Sequence, residues 1–267
     1  IAKEGTYNFQ ETKKNNNIKK IKILEDGHRN TGKNTSKDKI LIIGGSFTQG
    51  WNVDDEETFA FQIQNKTSRH KVLNFGQSGY SGLQSLLLLK RVIKSNINTK
   101  YVIYGFIPHH EYRNVARGEW LRTLAKYKSR GHSDTPKIPY ALIDKKKDLL
   151  IKDLIGYPNL PLKEHSALIT LIERKYMRIL TKRRKKIQDD VAKKIFFEMN
   201  QVSKENDAKF ILIGLSTNLK KYENFLKKNN INFKECNLNL TRKFLIENDY
   251  HPNYLAHNFY SKCIIEK

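Results

Sequence analysis

Apolar residues along this chain come in short runs of strand length, separated by stretches with helical spacing. Ile40 to Gly44 reads I-L-I-I-G, four β-branched or leucine residues in a row, which suits a parallel strand covered on both faces. Thr58 to Asn65 sets Phe59, Phe61 and Ile63 among polar residues and predicts a first helix, entered from a loop that contains Trp51. Val72-Leu73-Asn74 is a second strand, Leu83 to Ile93 repeats leucine and valine at helical spacing, and Tyr101 to Phe106 is a third strand. Helical periodicity resumes at about Leu168 in two segments, one running through Leu180 into a basic cluster and one from Asp189 to Asn206. Phe210 to Leu215 then gives a fourth strand, Lys220 to Lys228 a helix, Ile231 to Phe233 a short strand, and a final helix begins near Tyr254. Strands alternating with helices in this order predict a doubly wound, mostly parallel sheet.

Two regions fall outside that rhythm. Residues 1–39 are polar apart from Ile21 to Leu24, and the turn-forming Glu25-Asp26-Gly27 follows, so an irregular lead-in with at most a short strand is expected. From about 108 to 165 the pattern breaks into aromatics, prolines, glycines and charges. That is too long for an ordinary α/β connection and predicts a lid-like insertion within one domain spanning 40–267.

Composition narrows the class. At 267 residues and 38% hydrophobic the chain can bury a sizeable core. A mean hydropathy of -0.66 and the lack of any apolar run near ~18 residues argue against a membrane span. Fifty Lys and Arg against 27 Asp and Glu give a net charge of +23, which raises a polyanion as a partner. Lysines are mixed with asparagines and isoleucines along the whole length, so a solvated basic surface is the competing reading, and only Lys182 to Lys186 (K-R-R-K-K) is a true local cluster. A nucleic-acid partner rests on charge alone, with no recognised module to support it. Cys236 and Cys263 lack the paired spacing of a metal or redox site and are equally compatible with one disulfide or two buried thiols. No metal or organic cofactor is implied. The chain starts without Met inside a polar segment, so any signal or membrane anchor is expected upstream.

Three blocks carry the chemistry. Gly44-Gly45-Ser46 turns the chain directly after the first strand and sets a hydroxyl at a helix-start-like position, where ligands of such sheets gather. A serine becomes nucleophilic when a base, a group orienting that base, and donors aimed at the oxyanion surround it. His251 lies two positions after Asp249 and before Pro252, which biases it to extended backbone, so it suits a base with Asp249 as its partner. Each block also has a plain structural reading. Ser46 can cap the next element, Asp249 can sit in a turn with Asn253 capping the last helix, and Gly76 and Gly79 can simply shape a loop. In the third block, Asn74 to Ser81 (N-F-G-Q-S-G-Y-S), the Gly79 N–H is the natural second oxyanion donor beside that of Ser46.

Taken together these blocks resemble the SGNH, or GDSL-like, hydrolase superfamily. Its G-D-S-x-T-x-G block is similar to Gly44-Gly45-Ser46-Phe47-Thr48-Gln49-Gly50, its N-x-G-x-x-G block to Asn74, Gly76 and Gly79, and its last block to Asp249, His251 and Asn253. The resemblance covers most of the chain and implies a flavodoxin-like three-layer α/β/α fold with a five-stranded sheet. It also implies Ser46 as nucleophile, His251 as base, Asp249 as its partner, and Ser46 and Gly79 as backbone oxyanion donors. Two positions depart. Gly45 replaces the usual aspartate, which bears on loop stability. The G-x-N-D block after the third strand has no asparagine at the matching place in Gly105 to Asn114, leaving His110, His109 or Asn114 to replace that donor.

The D-x-H spacing resembles the branch related to exopolysaccharide O-acetyltransferases. It implies an ester hydrolase or O-acyltransferase acting on acylated carbohydrate in a bacterial cell envelope, outside the cytoplasm. An anionic polysaccharide would suit the basic surface, and Tyr112, Trp120 and Tyr127 of the insertion could stack on sugar rings or simply pack the lid. The rival expectation is a catalytically weakened module of the same fold that binds an anionic glycan or lipid surface.

Overall fold

The computed structural model describes residues 2–12, 15–128, 136–158, 160–163 and 165–266, without the side chains of 9–12, 15–17, 127 and 128. The chain divides into two compact units. The first comprises Ile1–Tyr80, Ser85–Ile107 and Phe196–Lys267, the second Ser81–Gln84 and Pro108–Ile195.

In the first unit a hairpin of β1 (Gly5–Thr12) and β2 (Asn15–Ile23) precedes the sheet. The lead-in is therefore not the irregular segment its polarity predicts. Ile21 and Ile23 are buried while Lys20 and Lys22 between and beside them are exposed, a period-two alternation that a short run among Asn and Lys conceals.

The sheet follows: β3 (Lys39–Gly44), β4 (Lys71–Asn74) and β5 (Thr99–Phe106), then β8 (Lys209–Leu215) and β9 (Asn232–Cys236) after the second unit. All neighbouring pairs are parallel, in the order β4-β3-β5-β8-β9. This is the flavodoxin-like order 2-1-3-4-5, whose switch point lies at β3 and β5. Successive residues of a strand face opposite ways, so each side of the sheet has its own core. Ile40, Ile42, Ile103 and Ile213 meet Phe59 and Ile63 of α2 (Phe59–Lys66) and Ala256 and Tyr260 of α9 (Tyr254–Ile265). Tyr104 and Phe106 turn the other way, onto Phe196, and Phe106 also meets Tyr222.

The remaining helices of this unit are the short α1 (Ser46–Gln49), the body of α3 (Gly82–Ser95), the end of α7 (Gln188–Lys204) and α8 (Glu223–Lys228). A disulfide joins Cys236 of β9 to Cys263 of α9, choosing between the two states the sequence leaves open.

The second unit runs to Ile195, past the end expected for the insertion, and it is built of regular elements. These are α4 (His109–Asn114), α5 (Gly118–Lys128), the hairpin β6 (Ile138–Ile143) and β7 (Leu149–Ile155), α6 (Ala167–Lys185) and the start of α7. Its core gathers Ala116, Trp120, Leu121, Leu124, Ile138 and Met177. Trp120 is buried there under the Arg113 guanidinium, 4.2 Å from the ring centroid, and Tyr112 packs against it. Trp120 thus fills the unit's interior rather than offering a face for sugar rings, Tyr112 is half-buried beside it, and the side chain of Tyr127 lies outside the described residues. No described helix is long and apolar enough to cross a membrane.

Candidate active site

The site is assembled where β3, β4 and the chain after β9 reach the carboxyl edge of the sheet. After Gly44 the backbone turns through Gly45 and enters α1 at Ser46. Ser46 holds a first-turn position whose N–H has no carbonyl within the helix to bond. Thr48, one residue from the helix end, is wedged between two strands. A Cβ on Gly44 or on Gly105 would stand 2.2 or 2.3 Å from its Oγ1, so both positions exclude any side chain and α1 sits directly on β3 and β5.

The loop after α1 has no side chain at Gly45 to brace it. Arg29, from the lead-in, does that work. Its guanidinium is almost wholly buried and donates to the carbonyls of Gln49 at 2.8 Å, Gly50 at 2.5 Å and Val53 at 2.6 Å, while Nε donates to Asp55 at 2.7 Å. Its backbone N–H bonds the Asn74 carbonyl. Asn74 in turn donates from Nδ2 to the Thr48 carbonyl at 3.0 Å and accepts the Gly76 N–H at Oδ1. The loop after β4 is thereby tied to the serine loop, and Gly76 approaches it so closely that a Cβ there would lie 2.4 Å from the Gln49 nitrogen. Gly79, at φ +80°, has open space where a Cβ would be.

His251 arrives from a loop pinned on both sides. Its carbonyl accepts the Ile246 N–H, and Asn253 donates to the Lys243 and Leu245 carbonyls. Asn253 also caps α9 by accepting from Leu255 and Ala256 N–H. The capping reading and the base reading of this loop are therefore compatible: the cap aims the histidine. Nε2 of His251 lies 2.9 Å from Ser46 Oγ, and Nδ1 lies 2.5 Å from Asp249 Oδ1. A carboxylate on Nδ1 fixes the proton there and leaves Nε2 to accept from the serine hydroxyl.

Burial alone would push the Asp249 carboxyl up. Hydrogen bonds from the His251 side chain, the His251 backbone N–H and the Trp51 side chain, with the charge of His251, outweigh it and hold the group below its ordinary value. Trp51 is the residue that motif reading missed. Its ring also lies 6.0 Å from that of His251, with Phe47 on the imidazole at 5.8 Å. Its signal was an indole directly after the first block. Ser46 is only 3% exposed. Beyond Asp249 a cleft of about 660 Å³ is lined by Arg242, Leu245, Ile246 and Tyr250.

His109, His110 and Asn114 lie on α4 in the second unit. His109 is exposed against Tyr112, and His110 is fully buried, with burial first and then Arg113 and His109 driving its pKa well below the usual value. Asn114 Oδ1 accepts the Leu83 N–H at 2.9 Å, at the start of α3. Among the described residues no cluster of three or more His, Cys, Asp or Glu converges as metal ligands would.

Fold and site together define a flavodoxin-like parallel α/β sheet with a serine–histidine–aspartate chain at its carboxyl edge. Solved structures similar to this chain include TesA, at 10% identity and a TM-score of 0.48, covering 85% of this chain and 96% of that one. A G-D-S-L-family lipolytic protein from Veillonella parvula is similar at 10% identity and a TM-score of 0.41, covering 85% and 97%. The SGNH-hydrolase family esterase AlinE4 is similar at 11% and 0.39, covering 76% and 77%. No family model matches the chain, and no curated protein matches it.

Proposed function

We propose that the chain is a serine-dependent ester hydrolase or O-acyltransferase working through an acyl-enzyme. The observation that carries this is the continuous contact from Ser46 Oγ to His251 to Asp249. Ser46 attacks the ester carbonyl while His251 Nε2 takes its proton, and Asp249 stabilises the imidazolium. The oxyanion is received by the N–H groups of Ser46 and Gly79. Collapse expels the alcohol, which takes the proton from His251, and the acyl group stays on Ser46. Water or a sugar hydroxyl then loses its proton to His251 as its oxygen bonds the acyl carbon, and the Ser46–acyl bond breaks while His251 returns the proton to Ser46 Oγ.

The substrate we favour is acylated cell-envelope carbohydrate outside the bacterial cytoplasm. The D-x-H spacing and the +23 charge support it, and the Cys236–Cys263 disulfide suits an oxidising compartment.

The test is covalent labelling with a fluorophosphonate together with turnover of p-nitrophenyl acetate. Labelling at Ser46, and loss of both signals in Ser46→Ala, is the expected result. An unlabelled serine without turnover would favour a binding module of the same fold. Adding a carbohydrate acceptor then separates transfer from hydrolysis, because transfer diverts the acetyl group from water to the sugar.

A further inference from the structure

We infer that the outward face of α6 is a docking surface for an anionic lipid bilayer. A surface helix ordinarily turns its apolar stripe to the core, and α6 does this with Met177, which is buried against α5 residues such as Leu121 and Leu124. Yet α6 carries a second apolar stripe. Leu168, Leu171, Ile172, Tyr176 and Ile179 are between 46% and 65% exposed. At 100° per residue, Leu168, Ile172 and Ile179 project opposite Met177, with Leu171 and Tyr176 flanking them.

A contiguous exposed stripe of this kind marks an interaction surface. The charges around it choose the occupant. Lys175 lies within the stripe, and Lys182, Arg183, Lys185 and Lys186 continue the exposed surface at its C-terminal end. Glu173 is the one acidic residue of α6, and it is buried and paired with Lys163 at 2.8 Å. Among the described residues of α6, the exposed face thus offers leucine, isoleucine and tyrosine, and every charged side chain on it is basic. That combination suits an interfacial helix, whose apolar side enters the acyl boundary while Lys and Arg meet anionic headgroups. A second copy of this chain would set the same cations against each other on a body already at +23. An anionic bilayer neutralises them instead.

The surface lies in the second unit and does not depend on the esterase reading. It is tested with the full chain and vesicles of phosphatidylcholine, alone or with roughly one-third phosphatidylglycerol, by co-sedimentation. Binding is expected on the anionic vesicles and at least about tenfold weaker on neutral ones. Each basic residue at such a surface contributes about fivefold, so Lys182→Gln with Arg183→Gln should weaken binding roughly 25-fold. Leu171→Ser with Ile172→Ser should weaken it by more than about tenfold, since two buried side chains leave the acyl boundary. These side chains are exposed, so thermal melting is expected to be unchanged, and Ile179→Ser serves as a second apolar variant.

Absence of binding to anionic vesicles would overturn the inference, as would binding that both apolar variants leave intact. Self-association in sedimentation velocity that the apolar variants abolish would assign the stripe to a second copy and overturn it equally.

Discussion

Ser46 Oγ and His251 Nε2 stand 2.9 Å apart although 205 positions separate the two residues in the chain. The contact has the polarity needed for proton transfer only because Asp249 claims the other ring nitrogen at 2.5 Å. Asp249→Asn keeps the shape of that side chain but lets it present an N–H to Nδ1, so the ring proton moves to Nε2 and points at the serine. Turnover of a small acetyl ester should then fall by about 10⁴ in kcat with KM little changed. Steady-state kinetics on the variant checks this, and a large rise in KM with kcat preserved would show that Asp249 serves binding instead.

The two glycines after β4 should respond differently to the same small change. At Gly76 an added methyl would press on the Gln49 nitrogen at 2.4 Å and the Thr48 carbonyl carbon at 2.7 Å, so Gly76→Ala must displace the loop that holds Ser46. At Gly79 the space is open and the cost is the positive φ alone, of order 1–2 kcal/mol. Gly76→Ala should therefore lose most of its ester turnover, while Gly79→Ala retains a larger share. Kinetics and urea unfolding of both variants, measured side by side, test the ordering.

The sheet was legible because buried parallel strands are apolar on both faces, and I-L-I-I-G and F-I-L-I-G-L can hardly be anything else. The limits of the first four strands shifted by only a residue or two, as at Lys39–Gly44 and Thr99–Phe106, while the fifth runs three residues past Phe233 to Cys236. The serine was legible because it stands directly after a recognisable strand end, and the aspartate and histidine because they lie just ahead of the Pro252-Asn253 entry to the last helix. The β1–β2 hairpin was not, since one side of it is Lys and Asn facing solvent. In the insertion, I-P-Y-A-L-I and L-L-I-K-D-L-I flank a polar D-K-K-K-D turn. That is a hairpin signal, masked by the charged residues around it. Arg29 was invisible for a different reason. A lone arginine in a polar segment gives no sign that its partners are backbone carbonyls twenty residues away.

That arginine carries a stability prediction. Its carboxylate partner Asp55 is buried and also accepts the Asn30 side-chain N–H at 3.1 Å. Arg29→Met would fill much of the space but strand Asp55 and three carbonyls of the serine loop. Breaking a buried pair from one side typically costs about 3–5 kcal/mol, so the urea midpoint should drop markedly and ester turnover with it. Arg29→Met combined with Asp55→Leu should recover part of the stability. A double variant no better than the single would show that the carbonyls, not the carboxylate, account for the loss.

His257 gives the chain a built-in sensitivity to acid. Its Nδ1 accepts the Phe59 N–H at 3.3 Å, its ring stacks on Phe59, and its Nε2 has no hydrogen-bond partner among the described residues. Burial, then the charges of Arg29 and His251, push its pKa down to about 3. The unfolded chain, with the group near about 6.5, therefore takes up the proton more readily than the folded one. Its contribution to stability is complete above about pH 6.5 and declines as pH falls toward 3, with a slope approaching about 1.4 kcal/mol per pH unit. Between pH 7 and pH 5 that amounts to about 2 kcal/mol. His257→Asn keeps an acceptor near Phe59 but cannot titrate, so its loss of stability over the same interval should be smaller by that amount. Urea unfolding of both proteins at the two pH values measures the difference, and parallel losses would mean that His257 takes up its proton without leaving the fold.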